Sequence, residues 1–227
     1  MKAVGIFNCL GKLLAMVVLL HSSPASAQAA GEASLLHGIF QEHPVLQRDQ
    51  PIRIWGNAQP GTKIQVSLDT HRASSRANET GKWEVRLPSM PAGGPHTLTV
   101  SDGVSTQSVG DVLVGDVWLC SGQSNMELPV WRALDAASEL GSASAPTIRL
   151  LTVPQSARPV PLESFPSTAQ WQTVDADSLR EFSAACFYFA RELQKSVDVP
   201  MGLIDASWGG SRIQAWIDAD ALKTDPR

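Results

Sequence analysis

The sequence predicts an α/β fold in two parts: an antiparallel β-sandwich over residues 28–110, then the opening of a parallel α/β sheet over residues 111–227. Three observations predict it. Between residues 35 and 110, short runs alternate polar and apolar residues and are separated by Gly and Pro. From Val112 to Ser121 the chain is almost continuously apolar, as expected of a strand covered on both faces. Beyond it, a strand, a helix, a strand, a Gly-rich turn and a helix follow in the order that builds a parallel sheet.

Residues 1–27 are read as an export leader. Lys2 and Lys12 give a positive start, Leu13 to Leu20 an apolar run, and Ala25-Ser26-Ala27 a small-x-small cleavage site before Gln28. That run is shorter than the roughly 20 residues a membrane span requires. The chain carries 18 basic and 22 acidic residues, and two of the basic ones lie in the leader. No Lys/Arg cluster stands out, so no nucleic acid partner is expected. No membrane partner is expected after cleavage. Cys120 and Cys186 lie in the apolar stretches Val117-Trp118-Leu119-Cys120 and Ala184-Ala185-Cys186-Phe187. They are read as buried thiols or as a bridge.

The individual elements follow from periodicity. Ile52 to Gly56, Lys63 to Leu68, Lys82 to Leu87 and His96 to Val100 have a period of two, the pattern of a half-buried strand. Gln59-Pro60-Gly61, Glu79-Thr80-Gly81 and Ala92-Gly93-Gly94-Pro95 suit the turns between them. Thr147 to Val153 is a second strand of the α/β part, and a Pro/Ser-rich loop runs from Pro154 to about Ser167. Phe182, Ala185, Cys186, Phe189, Leu193 and Val197 recur at helical spacing and predict one apolar stripe. Met201 to Ala206 is a short buried strand, and a last helix is expected from Arg212 to Leu222.

Chemistry is concentrated in Gly115-Asp116-Val117-Trp118-Leu119-Cys120-Ser121-Gly122-Gln123-Ser124-Asn125-Met126-Glu127. A buried strand running into a Gly-containing turn presents Ser124 at the strand's C-terminal end. A serine nucleophile needs that arrangement: an accessible oxygen, with main-chain N–H groups where charge develops on the attacked carbonyl. The Gly-x-Ser-x-Gly elbow is absent, and the fragment by itself also fits an ordinary polar turn. No Gly-x-Gly-x-x-Gly, P-loop or metal-spaced His/Cys/Asp cluster occurs, so no cofactor and no metal are expected.

This block closely resembles the nucleophile block of the sialate O-acetylesterases, a branch of the SGNH hydrolases. Two further stretches share the resemblance. Phe40 to Trp55, with Val45-Leu46-Gln47-Arg48 and Pro51-Ile52-Arg53-Ile54-Trp55-Gly56, is similar to the opening of the family's β-domain. Gly202-Leu203-Ile204 and Ser207-Trp208-Gly209-Gly210-Ser211-Arg212-Ile213-Gln214-Ala215-Trp216 are similar to its second block. The resemblance implies an SGNH-type, flavodoxin-like three-layer sheet, Ser124 as nucleophile, and the N–H of Gly209 or Gly210 as an oxyanion donor. Gln123, Asn125, Trp131 and Arg212 are candidates for substrate contact. Trp131 is read as lining a sugar pocket or as core packing. Arg212 is read as meeting a sugar carboxylate or as an exposed arginine at a helix start. Ser211 and Gln214 stand where the family usually carries Thr and Glu.

The resemblance has a gap. The family's base is a histidine near the C-terminus, preceded closely by an aspartate, and a third block completes the oxyanion hole. Here the five histidines are His21, His37, His43, His71 and His96, all before Ser124. The expectation is therefore a serine carbohydrate O-acetylesterase whose partner is an O-acetylated sugar. Sialic acid is the first candidate and acetylated xylan the second. This chain is expected to be an inactive N-terminal fragment of it, exported to the periplasm or cell exterior. The alternative is a non-catalytic, exported carbohydrate-binding relic.

Overall fold

The period-two runs become strands that bury one face. In the structure, a computed structural model describing residues 34–224, β1 spans Val45–Gln47, β2 Ile52–Asn57, β3 Lys63–Leu68, β4 His71–Arg76, β5 Lys82–Leu87 and β6 Gly93–Ser101. The predicted leader lies outside the described residues. β2 and β5 pair antiparallel as a ribbon, with Ile54 opposite Val85. β3 pairs with β4 and β6, with Val66 opposite Val100. Ile52, Ile54, Trp83, Val85 and Leu87 of the ribbon share one core with Ile64, Val66, Leu98 and Val100. The Trp83 indole N–H donates to Leu35 O at 3.1 Å, so its polar edge is satisfied inside that core.

The spine of the molecule is β7, Thr106–Gly122, a 17-residue strand that runs unbroken through residues 110 and 111. Its first half pairs antiparallel with β6. Its second half pairs in parallel with β10, Met201–Ser207, which in turn pairs in parallel with β8, Ala145–Thr152. β9, Trp171–Val174, closes the edge antiparallel to β8. The large sheet therefore runs β4-β3-β6-β7-β10-β8-β9, and the fold is mixed α/β. β1 lies parallel to β7 over Leu113 to Gly115, where β6 ends and β10 has not yet begun. Arg48, next to β1, fixes this junction with donors 2.8 and 3.2 Å from the Asp116 carboxylate.

Among the described residues, five α-helices accompany the strands: α1, Ser124–Glu127; α2, Ala136–Gly141; α3, Ala176–Arg180; α4, Ala184–Gln194; and α5, Ala219–Thr224. Among the described residues, none is long and apolar enough to cross a membrane. The Asp175 carboxylate caps α3 by accepting from Asp177 and Ser178 N–H, at 2.9 and 2.8 Å. Ser183 caps α4 by accepting from Cys186 N–H at 3.1 Å.

The face of α4 differs from the expected stripe. Cys186, Phe187 and Ala190 are buried, whereas Ala185 and Phe189 are exposed. Phe189 instead stacks edge-on against the half-exposed Trp118, with centroids 4.9 Å apart. The expected last helix is also split. A 3₁₀ turn covers Ile213–Trp216, and α5 begins after Asp218, whose carboxylate accepts from Asp220 N–H at 2.9 Å.

Cys120 of β7 and Cys186 of α4 form a disulfide with Cα atoms 5.9 Å apart, which settles the open cysteine reading as a bridge. It ties the strand, four residues before Ser124, to the helix behind it. The bridge closes a loop of 66 residues, for which chain-entropy arguments give a stabilisation of about 4 kcal/mol. Urea unfolding with and without reductant, repeated on the Cys120→Ser/Cys186→Ser variant, should show a loss of about 2–4 kcal/mol on opening the bridge.

Candidate active site

Ser124 sits where the sequence places it, at the exit of β7. Gly122 has φ 143°, a conformation that a side chain would strain, and Gln123 is extended before α1 turns back. Met126 N–H and Glu127 N–H both donate to Gln123 O, at 2.9 and 3.1 Å, which closes the short helix. The Ser124 hydroxyl is exposed and donates to Gln123 Oε1 at 2.8 Å. The N–H of Ser124, at the first helical position, has no partner within the helix.

The second half of the site comes from β10. Pairing of Ser207 with Gly122 sets the two strand ends level, and Trp208 N–H donates to Gly122 O at 2.9 Å. The turn that follows therefore packs beside Ser124: a Cβ on Gly209 would lie 3.7 Å from Ser124 Cα and would collide with the Glu127 carboxylate. The two glycines differ. Gly209 N–H donates to Glu127 Oε2 at 2.8 Å. Gly210, with φ 75°, has no hydrogen bond from its N–H to any described residue. Ser211 Oγ donates to Trp208 O at 2.6 Å and accepts from the Trp216 indole at 2.9 Å, closing the turn.

Two further residues, Glu127 and Gln155, organise this junction. Glu127 Oε1 accepts from Gln155 Nε2 at 2.7 Å, and the same amide reaches Ser207 O at 3.2 Å. One carboxylate thus joins the end of β7, the loop after β8 and the turn after β10. Glu127 could have been suspected as the last residue of the block, whereas nothing in the local sequence of Gln155 marks it.

Beneath the turn, the buried Asp205 accepts from Ser207 Oγ at 2.5 Å and from Ser207 N–H at 3.0 Å. Burial pushes its carboxyl above the ordinary value of 3.8, more than the Ser207 hydrogen bonds pull it down, and the charge of Glu127 adds to the rise.

The remaining candidates occupy different surroundings. Asn125 and Trp131 line a cleft of about 450 Å³ together with Ser124, Glu127, Arg132 and Glu181. Trp131 is 43 % exposed, which removes the core-packing reading. Gln123 is exposed and holds the Ser124 hydroxyl. Arg212 is exposed at the start of the 3₁₀ turn and does not line the cleft. The described histidines belong to the β-rich half. His37 stacks on Trp55, His43 pairs with Asp111 at 2.7 Å, His96 pairs with Asp69 at 2.6 Å, and His71 lies on β4. Among the described residues, no group of three His, Cys, Asp or Glu side chains is placed to hold a metal.

Comparison with known proteins gives a consistent answer. No protein-family model matches the chain. Sialate O-acetylesterase from Homo sapiens is 34 % identical over 187 residues, covering 75 % of this chain and 36 % of that protein. The Mus musculus enzyme is 31 % identical over 225 residues, covering 91 % and 41 %. The chain is a homologue of sialate O-acetylesterases. A crystal structure of a carbohydrate acetylesterase from Xanthomonas citri superposes with TM-score 0.80 at 41 % identity, covering 83 % of this chain and 43 % of that one. The chain therefore spans about two fifths of the length of these sialate O-acetylesterase homologues and of the structural neighbour.

The raised Asp205 carboxyl has a consequence for stability. Its folded-state proton is held more tightly than in the unfolded chain, so its contribution is present below the ordinary carboxylate value. That contribution is lost as pH rises from there through the folded value. Urea unfolding of Asp205→Asn should show a variant more stable than the wild type at neutral pH, with the gap narrowing as the pH falls towards the ordinary carboxylate value.

Proposed function

We propose that this chain carries the nucleophile half of a serine carbohydrate O-acetylesterase whose substrate is an O-acetylated sialic acid. The observation that carries the reading is the exposed Ser124 hydroxyl at the end of β7, beside a turn whose Gly210 N–H is uncommitted. Kinship with sialate O-acetylesterases and with a carbohydrate acetylesterase supports the substrate class.

In the proposed reaction Ser124 Oγ attacks the acetyl carbonyl and gives its proton to a base. The resulting oxyanion is held by the N–H groups of Ser124 and Gly210. Gly209 plays a structural part, because its N–H is bonded to Glu127. The sugar oxygen leaves with a proton, and water then releases acetate from the acyl-enzyme.

The present partner of the Ser124 hydroxyl is an amide oxygen, which is not a base. The described histidines lie in the β-rich half, and none of them lines the cleft at Ser124. We therefore assign the base to a histidine outside this sequence, and the chain alone is proposed to be a poor catalyst. Loss of a triad member typically costs several powers of ten in rate. The leader pattern and the Cys120–Cys186 bridge support action in an exported, oxidising compartment.

Chemical rescue tests this reading. Acetate release from an O-acetylated sialic acid should be slow with the chain alone and should rise at least about 10-fold when imidazole is supplied as a surrogate base. Ser124→Ala should remove that increment and leave only the buffer rate. An imidazole response of equal size in Ser124→Ala would show that Ser124 is not the nucleophile. No response in either protein would favour a carbohydrate-binding relic.

A further inference from the structure

The cleft beside Ser124 holds an imbalance of charge partners. Three of its lining side chains are charged: Glu127, Arg132 and Glu181. Glu127 is satisfied by Gly209 N–H at 2.8 Å and the Gln155 amide at 2.7 Å. Glu181 accepts from the Trp131 indole N–H at 3.0 Å and lies 3.6 Å from the Arg180 guanidinium. Arg132 has neither a carboxylate partner nor a side-chain hydrogen bond among the described residues. Its guanidinium carbon lies 5.8 Å from the Trp131 ring centroid, and that of Arg180 lies 5.9 Å from the same ring.

This arrangement positions a cation without neutralising it. Glu181 fixes the indole through its N–H, and the indole's π-system attracts the two guanidinium groups. A guanidinium near a ring keeps its N–H fork available, and that planar fork matches a carboxylate. The main chain of Arg132 is also anchored. Its N–H donates to Pro129 O at 3.0 Å, and Val130 N–H donates to Phe182 O at 3.0 Å.

We propose that Arg132, supported by Trp131 and Arg180, is the subsite for the carboxylate of an acidic sugar whose acetyl ester is presented to Ser124. The proposal deepens the esterase reading and rests on it for the position of the ester. A neutral acetylated polysaccharide would leave this guanidinium unmatched, so the subsite selects sialic acids over xylan-type substrates. The cleft, at about 450 Å³, lies within the size range of small-molecule sites. Arg212, the other arginine with a possible carboxylate role, is outside the cleft.

Titration of the chain with N-acetylneuraminate and with its carboxyl methyl ester tests the subsite. The free acid should bind at least about 10-fold more tightly than the ester, the worth of one charge-assisted contact. Arg132→Ala should reduce binding of the acid to the level of the ester. Arg132→Lys should retain part of the preference, since it keeps the charge and loses the fork. Far-UV circular dichroism identifies any variant that has not folded, and the acid-versus-ester comparison on the wild type stands without a variant. Equal affinity of acid and ester, an unchanged Arg132→Ala, or no binding of the acid by the wild type would each overturn the proposal. Binding of the free acid involves no acyl transfer. Failure of imidazole rescue with acid selectivity intact therefore sinks the nucleophile assignment alone, and the reverse sinks the subsite alone.

Discussion

The parallel pairing of β7 with β10 is the constraint on which the candidate site depends. Side chains alternate along a strand, and a slip of one residue would turn each side chain to the other face. The register Met201–Asp116 through Ser207–Gly122 leaves no such freedom, because both strands end together. Gly122 O then receives Trp208 N–H, and the two turns leave the sheet side by side. Everything nearer to chemistry follows from that alignment: the hydroxyl on one turn, the N–H groups on the other, and Glu127 between them. The disulfide and the Ser183 cap hold the same region from behind. Ser183 Oγ donates to Met126 O at 2.6 Å while accepting from the first turn of α4. Opening at the strand ends, which open sheets of this kind use for ligands, is thus compatible with a firmly held base.

The electrostatics of the junction are unusual in composition. Two carboxylates, Glu127 and Asp205, lie close enough to influence one another, and each is satisfied by neutral donors rather than by an ion pair. A fixed negative charge on Glu127 disfavours ionisation of Asp205. It also occupies the N–H of Gly209 that a developing oxyanion would otherwise compete for. The neighbouring Gly210 has no hydrogen bond from its N–H to a described residue, which leaves it as the donor in the proposed reaction.

How far the sequence discloses this structure depends on whether packing leaves a periodic trace. The runs around Ile54, Val66, Val85 and Leu98 are legible because each strand buries one face in a shared core. β4 leaves no such trace. His71, Arg72, Ser74, Ser75 and Arg76 carry no apolar alternation, and the strand is specified by pairing with β3 rather than by burial. The helix around Cys186 is legible as a helix, but its buried face is not. Phe189 fits the apolar stripe by spacing and still lies outside, where Trp118 offers it a partner. Ser124 is legible because a buried strand ending in a Gly turn is a local pattern. Glu127 and Gln155 act across strand ends, and only the folded chain brings their partners near.

The central claim is that Ser124 Oγ and Gly210 N–H face the same point in space. Reaction with a small organophosphate, followed by crystallography of the adduct, measures this directly. The account predicts phosphorus bonded to Ser124 Oγ, with a phosphoryl oxygen within hydrogen-bond reach of the Ser124 and Gly210 N–H groups. An adduct on another residue, or a phosphoryl oxygen directed away from the Trp208–Gly210 turn, would contradict it.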